Sequence, residues 1–298
     1  MCRALYGVFV YSDNANMRAG GLFMGIGTLD LERGYLNKWE MYKALHGEQI
    51  GPCRLPVTQG LSGSSLGVML KKFRKVYVKP IDSWGGNFVS VVAFESGKYS
   101  WTMQQHSQQQ YPTLSKLMQD LSAAYAHQIC IVQQAAPLLG YQGRPFDIRV
   151  HMQRNTDDSW IYAGALVRAG GAKSIVSNVG ISDGSVLPLE NVLLAVLAKP
   201  KARRIPDKLE NIGYSIAGLL DNYRDFNEIG IDLGVDRDGQ LWLIEVNTDD
   251  ALGAPSHEIF ADLPDPTIYK QLRHRAESRQ MAMAKSLLEA FFLVEDNN

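Results

Sequence analysis

The sequence predicts an α+β fold with two lobes, and three observations lead to this class. Segments of helical periodicity alternate with apolar, β-branched segments that are mostly joined by short turns, as in antiparallel sheets. A strand over residues 129–134 runs into a linker at Pro137, which places a lobe boundary near Gln128. The 298 residues, 46% of them hydrophobic, are enough for one large domain or for two lobes.

The composition argues against several classes of protein. The net charge of -1, from 30 basic and 31 acidic residues, does not favour a nucleic-acid surface or a basic membrane-binding tail. Cys2, Cys53 and Cys130 have neither metal-site nor disulfide spacing, so we expect a reducing, cytoplasmic location. No apolar run is long enough to span a bilayer, and residues 1–10 are predicted to be a first strand, not a signal peptide.

The first half of the chain is predicted from helical spacing and turn residues. Asn37 can cap a helix in which Trp39, Tyr42 and Leu45 share one face. A segment rich in Gly, Asn and Ser is expected to be loop. In order, we expect a strand over residues 1–10, a loop over 12–28, helices over 38–46 and 64–73, strands over 76–80 and 88–94, and a helix over 113–127.

The second half is predicted in the same way. Prolines and glycines separate its segments, and β-branched runs mark its strands. In order, we expect strands over 129–134, 145–152 and 160–168, a short extended segment over 174–178, a loop over 180–184, helices over 190–198 and 206–223, a hairpin over 226–247 and a helix over 267–292.

A glycine-bearing loop follows a lysine at the end of a short strand. Lys79 closes the strand, and the loop over residues 83–87 contains Gly85 and Gly86. Backbone N–H groups of such a loop can approach a phosphate while the ammonium neutralises its charge. A plain hairpin with a Gly-Gly turn has the same pattern, so the loop alone favours neither interpretation.

The hairpin over residues 226–247 carries polar side chains within an otherwise apolar segment. Asp and Gly in residues 236–239 are turn formers between two β-branched runs. Pairing the strands across this turn places Asp232 opposite Leu243 and diagonal to Glu245. Because side chains alternate along a strand, the two carboxylates are expected on one face.

Asn247 lies two residues beyond Glu245 and therefore shares the face of Asp232 and Glu245. Two adjacent carboxylates repel, and a hard cation such as Mg²⁺ resolves that repulsion through oxygen ligands. A solvated hairpin explains Asp236 and Asp238 but not Glu245, which is surrounded by apolar residues. The pattern therefore favours a metal site.

Taken together, these segments resemble the ATP-grasp superfamily, in particular the spore-coat-associated proteins of the YheC/YheD kind. The likeness runs from about Tyr35 to the C-terminus. It implies an ATP-grasp fold with the nucleotide bound between two lobes. The implied parts are a short N-terminal segment over residues 1–34, an N-terminal lobe with a phosphate flap over 35–128, and a C-terminal lobe with the metal site over 129–298. The phrases that carry the likeness are Asn37-Lys38-Trp39-Glu40 with Leu45, Leu55-Pro56-Val57-Thr58, residues 76–86, Phe146-Asp147-Ile148-Arg149-Val150, Ser177-Asn178, and Ile231-Asp232 with residues 243–247.

The resemblance also implies roles for individual residues. Lys38 and Lys79 would hold the ATP phosphates, under a flap that contains Ser83, Gly85 and Gly86. The adenine hinge would be formed by Gln133, Gln134, Ala135 and Ala136. The implied Mg²⁺ ligands are Asp232, Glu245 and Asn247, and the residues implied to face the transferred phosphoryl group are Arg149, Arg168 and Asn178.

Three of these residues also have a simpler interpretation. Lys38 alone is typical of a solvated helix, and Lys79 before a proline is typical of an edge strand. Arg149 could pair with Asp147 or Asp157 on a wet strand face.

The resemblance implies an ATP-dependent carboxylate–amine ligase that works through an acylphosphate. The expected partners are ATP, Mg²⁺, a carboxylate and an amine, the latter two from an amino acid, a peptide or a protein tail, with no nucleic acid and no membrane. Only 37 residues precede Lys38, so we expect other parts of the chain or a partner to build the substrate end. The alternatives are a nucleotide-binding spore-surface structural or regulatory protein without turnover, and a kinase of the same fold.

Overall fold

The structure, a computed structural model, describes residues 27–83, 85–126, 128–248 and 255–295. The strand expected over residues 1–10 and most of the loop expected over 12–28 lie outside these ranges. The strands are β1 (Cys53–Arg54), β2 (Thr58–Gly60), β3 (Lys75–Pro80), β4 (Ser90–Glu95), β5 (Lys98–Met103), β6 (Gln109–Tyr111), β7 (Cys130–Gln134), β8 (Gly140–Tyr141), β9 (Arg144–Arg154), β10 (Trp160–Ala169), β11 (Ser185–Pro188), β12 (Glu228–Val235) and β13 (Leu241–Thr248). The helices are α1 (Lys38–Leu45), α2 (Gly63–Phe73), α3 (Leu114–Ala124), α4 (Val179–Ser182), α5 (Leu189–Val196), α6 (Lys199–Ala202), α7 (Ile205–Leu220) and α8 (Thr267–Glu295), with a 3-10 helix at Glu258–Asp262.

A six-stranded antiparallel sheet, in the order β2-β7-β3-β4-β5-β6, forms one layer with α2 and α3 packed on it. The helices form because their apolar side chains recur at helical spacing; Leu66, Met69 and Leu70 of α2 are all buried. Ser62 and Ser65 cap the start of α2 reciprocally through their hydroxyls. This layer holds β3, the strand that ends beside Lys79.

The second layer is a seven-stranded sheet in the order β1-β13-β12-β9-β10-β11, with β8 added beside β9. Successive side chains of its long strand β9 point to opposite faces of the sheet. Ile148, Val150 and Met152 enter the largest hydrophobic core, which α7 covers. The alternate positions, including Arg149 and His151, therefore point to the opposite face of the sheet. That face turns towards the six-stranded sheet and carries the polar groups described below.

The chain does not pass from one sheet to the other at a single point. β7 follows residue 128 but pairs with β2 and β3 in the six-stranded sheet. α1 precedes that residue but contributes Met41 and Leu45 to the core of the seven-stranded sheet. The division at residue 128 follows chain order and not sheet membership, and it stays a prediction about domains.

The predicted hairpin is confirmed as β12 and β13, but its predicted register is wrong. Asp232 lies directly opposite Glu245, not opposite Leu243, which is a shift of two residues. Val235 pairs with Leu241, one residue beyond the predicted register, and a bulge at Ile244 adds one more. The turn is fixed by the carboxylate of Asp236, whose Oδ1 accepts hydrogen bonds from two backbone N–H groups of the turn, at 2.9 and 3.0 Å. The corrected register brings the two carboxylates closer together than the predicted diagonal.

The extended segment expected over residues 174–178 is not a strand. The hydroxyl of Ser174 bonds to the backbone of Val176, so this segment satisfies its polar groups locally instead of pairing with a sheet. The loop expected over 180–184 contains part of α4, whose first turn is capped by Asn178. None of the helices that the structure describes combines the length and apolar character needed to cross a bilayer.

Candidate functional site

A cleft between the two sheets contains a cavity of about 590 Å³ and an adjoining one of about 150 Å³. Side chains from both sheets line it, so neither sheet alone forms the site. The predicted residues that border both cavities are Lys38, Lys79, Gly85, Gln133, Arg149, Arg168, Asn178, Glu245 and Asn247. Ser83 borders the larger cavity, and Gly86, Gln134, Ala136 and Asp232 border the smaller one.

Ala135 is the predicted site residue that borders neither cavity. Its N–H donates to the carbonyl of Lys75 on β3 at 3.3 Å, which continues the sheet instead of facing the cleft. The side chains of its predicted neighbours also have structural partners. Gln134 accepts from the N–H of Val57 at 3.2 Å, and the amide nitrogen of Gln133 donates to Thr58 at 3.1 Å. The adenine role of this segment stays a prediction.

Lys79 extends from the end of β3 into the cleft. Its ammonium donates to Oε1 of Gln133 at 2.7 Å. Burial lowers the pKa of Lys79 to about 8, which Glu245 opposes and Lys38 reinforces. The side chain is therefore held on a neutral amide, where an approaching anion would favour its charged form.

Lys38 is the first residue of α1 and joins three parts of the site. The side chain of Asn37 caps this helix by accepting from the N–H groups of Trp39 and Glu40, both at 3.0 Å. The Lys38 ammonium lies 3.1 Å from Oε1 of Glu245 on β13 and donates to the carbonyl of Ser83. The simpler interpretation of Lys38 as a solvated helix residue is wrong, because its charge is directed into the cleft.

Two aspartates and two arginines form a buried chain of alternating charge on the polar face of the seven-stranded sheet. Arg168 binds Asp147 through two hydrogen bonds of 2.8 and 2.7 Å and contacts Asp232 at 2.7 Å. Arg149 binds Asp232 in turn through contacts of 2.5 and 3.2 Å. Burial raises the pKa of Asp232, but the two guanidinium groups outweigh this effect and hold the pKa below its usual value. The two carboxylates differ in this respect, because burial raises the pKa of Asp147 and Arg168 opposes that shift.

The partner of Arg149 differs from both alternatives considered from the sequence. Arg149 pairs with Asp232 on the neighbouring strand, while Asp147 pairs with Arg168 and also accepts a hydrogen bond from Ser177. Sequence reasoning missed Asp147 as a site residue. Its place two residues before Arg149 in an alternating strand was the signal that could have identified it.

Described residues of the predicted flap, and Asn178, line the cleft. Gly85 and Gly86 have φ angles of 67° and 81°, which residues with a Cβ rarely adopt. The side chain of Asn178 accepts from the N–H of Gly180 at 3.0 Å. Both features border the same cavities as the two lysines.

Asp232, Glu245 and Asn247 supply two carboxylates and an amide, an oxygen donor set that suits Mg²⁺. All three lie on one face, and the amide nitrogen of Asn247 donates to Oδ2 of Asp232 at 3.2 Å. The carboxylates are engaged by Lys38, Arg149 and Arg168. The donor types fit a magnesium ion, which would compete with these cations for the same oxygens.

Comparison with known proteins gives a match over most of the chain. A family model for YheC/D-like ATP-grasp proteins matches residues 29–277. The chain is 23% identical over 235 residues to the endospore coat-associated protein YheD of Bacillus subtilis (strain 168), an alignment that covers 76% of this chain and 50% of YheD. It is 24% identical over 252 residues to the endospore coat-associated protein YheC of the same organism, covering 83% of this chain and 68% of YheC. The chain thus spans half the length of YheD and about two thirds of that of YheC.

Solved structures give weaker similarities. An L-amino acid ligase from Bacillus licheniformis is 14% identical with a TM-score of 0.41, covering 71% of this chain and 39% of that one. The ADP complex of PurK, an N5-carboxyaminoimidazole ribonucleotide synthetase, is 9% identical with a TM-score of 0.45, covering 80% of this chain and 50% of that one. No conclusion about substrates follows from similarities this low.

Proposed function

Because the chain belongs to the YheC/D-like ATP-grasp family, we propose that it is an ATP-dependent carboxylate–amine ligase. Its α+β fold is the ATP-grasp fold, which implies that it binds ATP. In the proposed reaction, a carboxylate oxygen attacks the γ-phosphorus of ATP, the bond to the β-phosphate oxygen breaks, and ADP leaves. An amine nitrogen then attacks the carbonyl carbon of the acylphosphate, inorganic phosphate leaves, and an amide remains.

The observation that carries this proposal is the meeting of four cations and two carboxylates in one cleft. Phosphoryl transfer requires little covalent chemistry from a protein, but it requires positioning and positive charge around the phosphoryl oxygens. The four cations come from both sheets and from α1, and the carboxylates from the hairpin of β12 and β13. These residues are Lys38, Lys79, Arg149, Arg168, Asp232 and Glu245.

In the proposed reaction, the two lysines bind the phosphates of ATP in the ground state. Lys79 has a neutral amide partner and Lys38 a carboxylate partner, so each ammonium retains donors for phosphate oxygens. Lys38 also holds the carbonyl of Ser83 at the entry of the flap. Nucleotide binding at Lys38 would therefore act directly on the flap.

Arg149 and Arg168 act on charge that develops during the reaction. Both guanidinium groups are fixed by paired contacts to buried carboxylates, so they keep one orientation at little cost in entropy. Arg149 orients the substrate carboxylate and stabilises the tetrahedral oxyanion, while Arg168 faces the transferred phosphoryl group. Asn178 donates to the same phosphoryl group.

Asp232, Glu245 and Asn247 would hold Mg²⁺, which when bound would neutralise phosphate charge. The chain would present three oxygen donors on adjacent strands. The flap formed by residues 83–87 would close over the site and exclude water. Exclusion of water matters because an acylphosphate hydrolyses readily when water reaches it.

The test is product formation by the purified chain with magnesium–ATP, candidate carboxylates and an amine library. We expect ADP release that depends on the carboxylate, an amide detected by mass, and a hydroxamate when hydroxylamine replaces the amine. A stable phosphoester would indicate a kinase, and ATP binding without ADP release would indicate a binding protein. Glu245→Gln should abolish ADP release, and the exposed Glu95→Gln is its matched control.

A further inference from the structure

A second cluster of metal-ligating side chains lies on the same polar face of the seven-stranded sheet, beside the cleft. It consists of His151 on β9, Glu228 on β12 and His257 immediately before the 3-10 helix. One candidate ligand atom from each residue lies within 4.8 Å of the other two. All three side chains are buried, with exposed fractions of 0%, 8% and 4% respectively.

The atoms at the centre of this cluster are mostly acceptors. Nδ1 of His257 lies 2.6 Å from Oε1 of Glu228, and Nε2 of His151 lies 3.8 Å from Oε2 of the same carboxylate. Nε2 of His151 is fully buried and has no hydrogen-bond partner among the described residues. When Nδ1–H of His151 donates to Ser256 at 3.2 Å, the lone pair of Nε2 faces a carboxylate. Two buried acceptors that face each other are unfavourable, and a cation bound between them would interact with both lone pairs.

Each candidate ligand is also held from its outer side. Ser256 contacts Nδ1 of His151, and Glu258 lies 3.4 Å from Nε2 of His257. The amide of Gln153 donates to Oε1 of Glu228 at 3.0 Å. Metal-bound histidines nearly always have a partner on the ring nitrogen that does not bind the metal, because that partner fixes the orientation of the ring. The cluster has this arrangement at both histidines.

We propose that His151, Glu228 and His257 bind a divalent first-row transition metal of the Zn²⁺ class. Two imidazoles and one carboxylate suit Zn²⁺ and are unsuited to Mg²⁺, which prefers oxygen ligands. Bonds of about 2.0–2.1 Å in a tetrahedral site separate ligand atoms by roughly 3.3 Å. The ligand atoms lie within 4.8 Å of one another, with 3.8 Å between His151 and Glu228, so the three side chains draw closer together when the ion enters. The ion takes the place of the proton between His257 and Glu228, which is released.

The proposed metal site connects two parts of the protein: the segment around His257, which forms one wall of the cleft, and the strands β9 and β12, which carry the charge cluster. Ser256 and Glu258 border the larger cavity on either side of His257. Phe260, three residues further, is fully buried in a small core with Leu166 and Leu272, which already brings His257 to the sheet. Metal bound here fixes this wall relative to β9 and β12. The proposal stands on the cluster alone and does not require the ligase activity.

The test uses the whole chain, freed of metal by a chelator and titrated with Zn²⁺ in the presence of excess Mg²⁺. We expect one Zn²⁺ per chain, a higher melting temperature with Zn²⁺, and visible absorption by Co²⁺ without the near-ultraviolet band of a thiolate ligand. Binding of less than one equivalent, or a thiolate band from the cysteines, would overturn the proposal.

Variants locate the ion. His257→Gln and His151→Gln should each lose the bound Zn²⁺, and Ser256→Ala should weaken its affinity by about 10- to 100-fold, since it removes a partner of a ligand. The exposed His274→Gln should retain it. Zn²⁺ retained by both ligand variants, or lost in the His274 variant, contradicts the assignment. If circular dichroism shows that the ligand variants do not fold, X-ray absorption of the Zn²⁺-loaded unaltered chain decides: two imidazoles at about 2.0–2.1 Å support the site, and a shell without imidazole overturns it.

Discussion

Raising the pH above about 8 should weaken the binding of magnesium–ATP through one side chain, Lys79. Burial lowers the pKa of Lys79 to about 8, with Glu245 opposing the shift and Lys38 adding to it. A phosphate oxygen binds the ammonium and not the neutral amine, so nucleotide raises this pKa in the complex. Between the pKa values of the free and bound states, affinity must therefore fall as the pH rises.

The size of the effect follows from the pKa of the free chain. With a pKa of about 8, the fraction of charged Lys79 falls from about 90% near pH 7 to about 10% near pH 9. Affinity should fall by about tenfold over this range, which corresponds to about 1.4 kcal/mol. A lysine with an ordinary pKa near 10.4 would change affinity by less than about 10% over the same range.

Calorimetry with a non-hydrolysable ATP analogue and Mg²⁺, at several pH values, measures this dependence. Lys79→Arg is the decisive control, because a guanidinium stays charged throughout and the decline should flatten. Lys98→Arg, at an exposed position, should keep the decline of the unaltered chain. Equal slopes in the unaltered chain and in Lys79→Arg would refute the role of Lys79 as the titrating phosphate ligand.

Three further predictions concern the charge cluster, the metal ligands and the flap. Asp147→Asn should lower the free energy of unfolding, measured by urea titration, by about 3–5 kcal/mol, because two buried guanidinium groups would then share a single carboxylate. The exposed Asp238→Asn is the control and should change this free energy by less than about 0.5 kcal/mol. Glu245→Gln should keep its circular dichroism spectrum, since the change is nearly isosteric, and bind nucleotide equally with Mg²⁺ and with chelator; a retained Mg²⁺ dependence speaks against the metal assignment. Hydrogen exchange over residues 85–88 should slow on binding a magnesium–ATP analogue, because phosphate oxygens give these N–H groups acceptors, and unchanged protection at saturation rules out a flap.

The sequence was sufficient where structure depends on local signals. The cap at Asn37 and the apolar spacing after it predicted α1 to within one residue of its end. The turn residues after Val235 predicted the hairpin, and the β-branched run before Pro80 predicted β3. The ATP-grasp fold and family, inferred from the order of such phrases, are confirmed by the family match.

The sequence was insufficient where structure depends on distant partners. The bulge at Ile244 follows an unbroken apolar run over residues 241–243, which has no alternation of apolar and polar residues that a bulge could interrupt, so the sequence pattern does not reveal it. The ion-pair partner of Arg149 could not be identified from the sequence, because Asp232 comes close to it only through the pairing of β9 with β12, which are far apart in the sequence. The sequence assigned no role to His151, since Glu228 and His257 come from separate elements that only the tertiary fold brings together.

Gly230 separates the two clusters for which we propose different metals on one face of the sheet. It lies between Glu228 and Asp232 on the same face of β12, and a Cβ there would be only 3.0 Å from Nη1 of Arg149. The absence of a side chain lets Arg149 lie across β12 and reach Asp232. A permanent cation is thereby placed between the oxygen donors at Asp232 and the imidazole-rich cluster at Glu228. This charge would oppose an ion bridging the two clusters. Each of the two proposed sites would then select its metal by its own donor atoms: oxygen for the proposed Mg²⁺, and imidazole nitrogen for the proposed Zn²⁺.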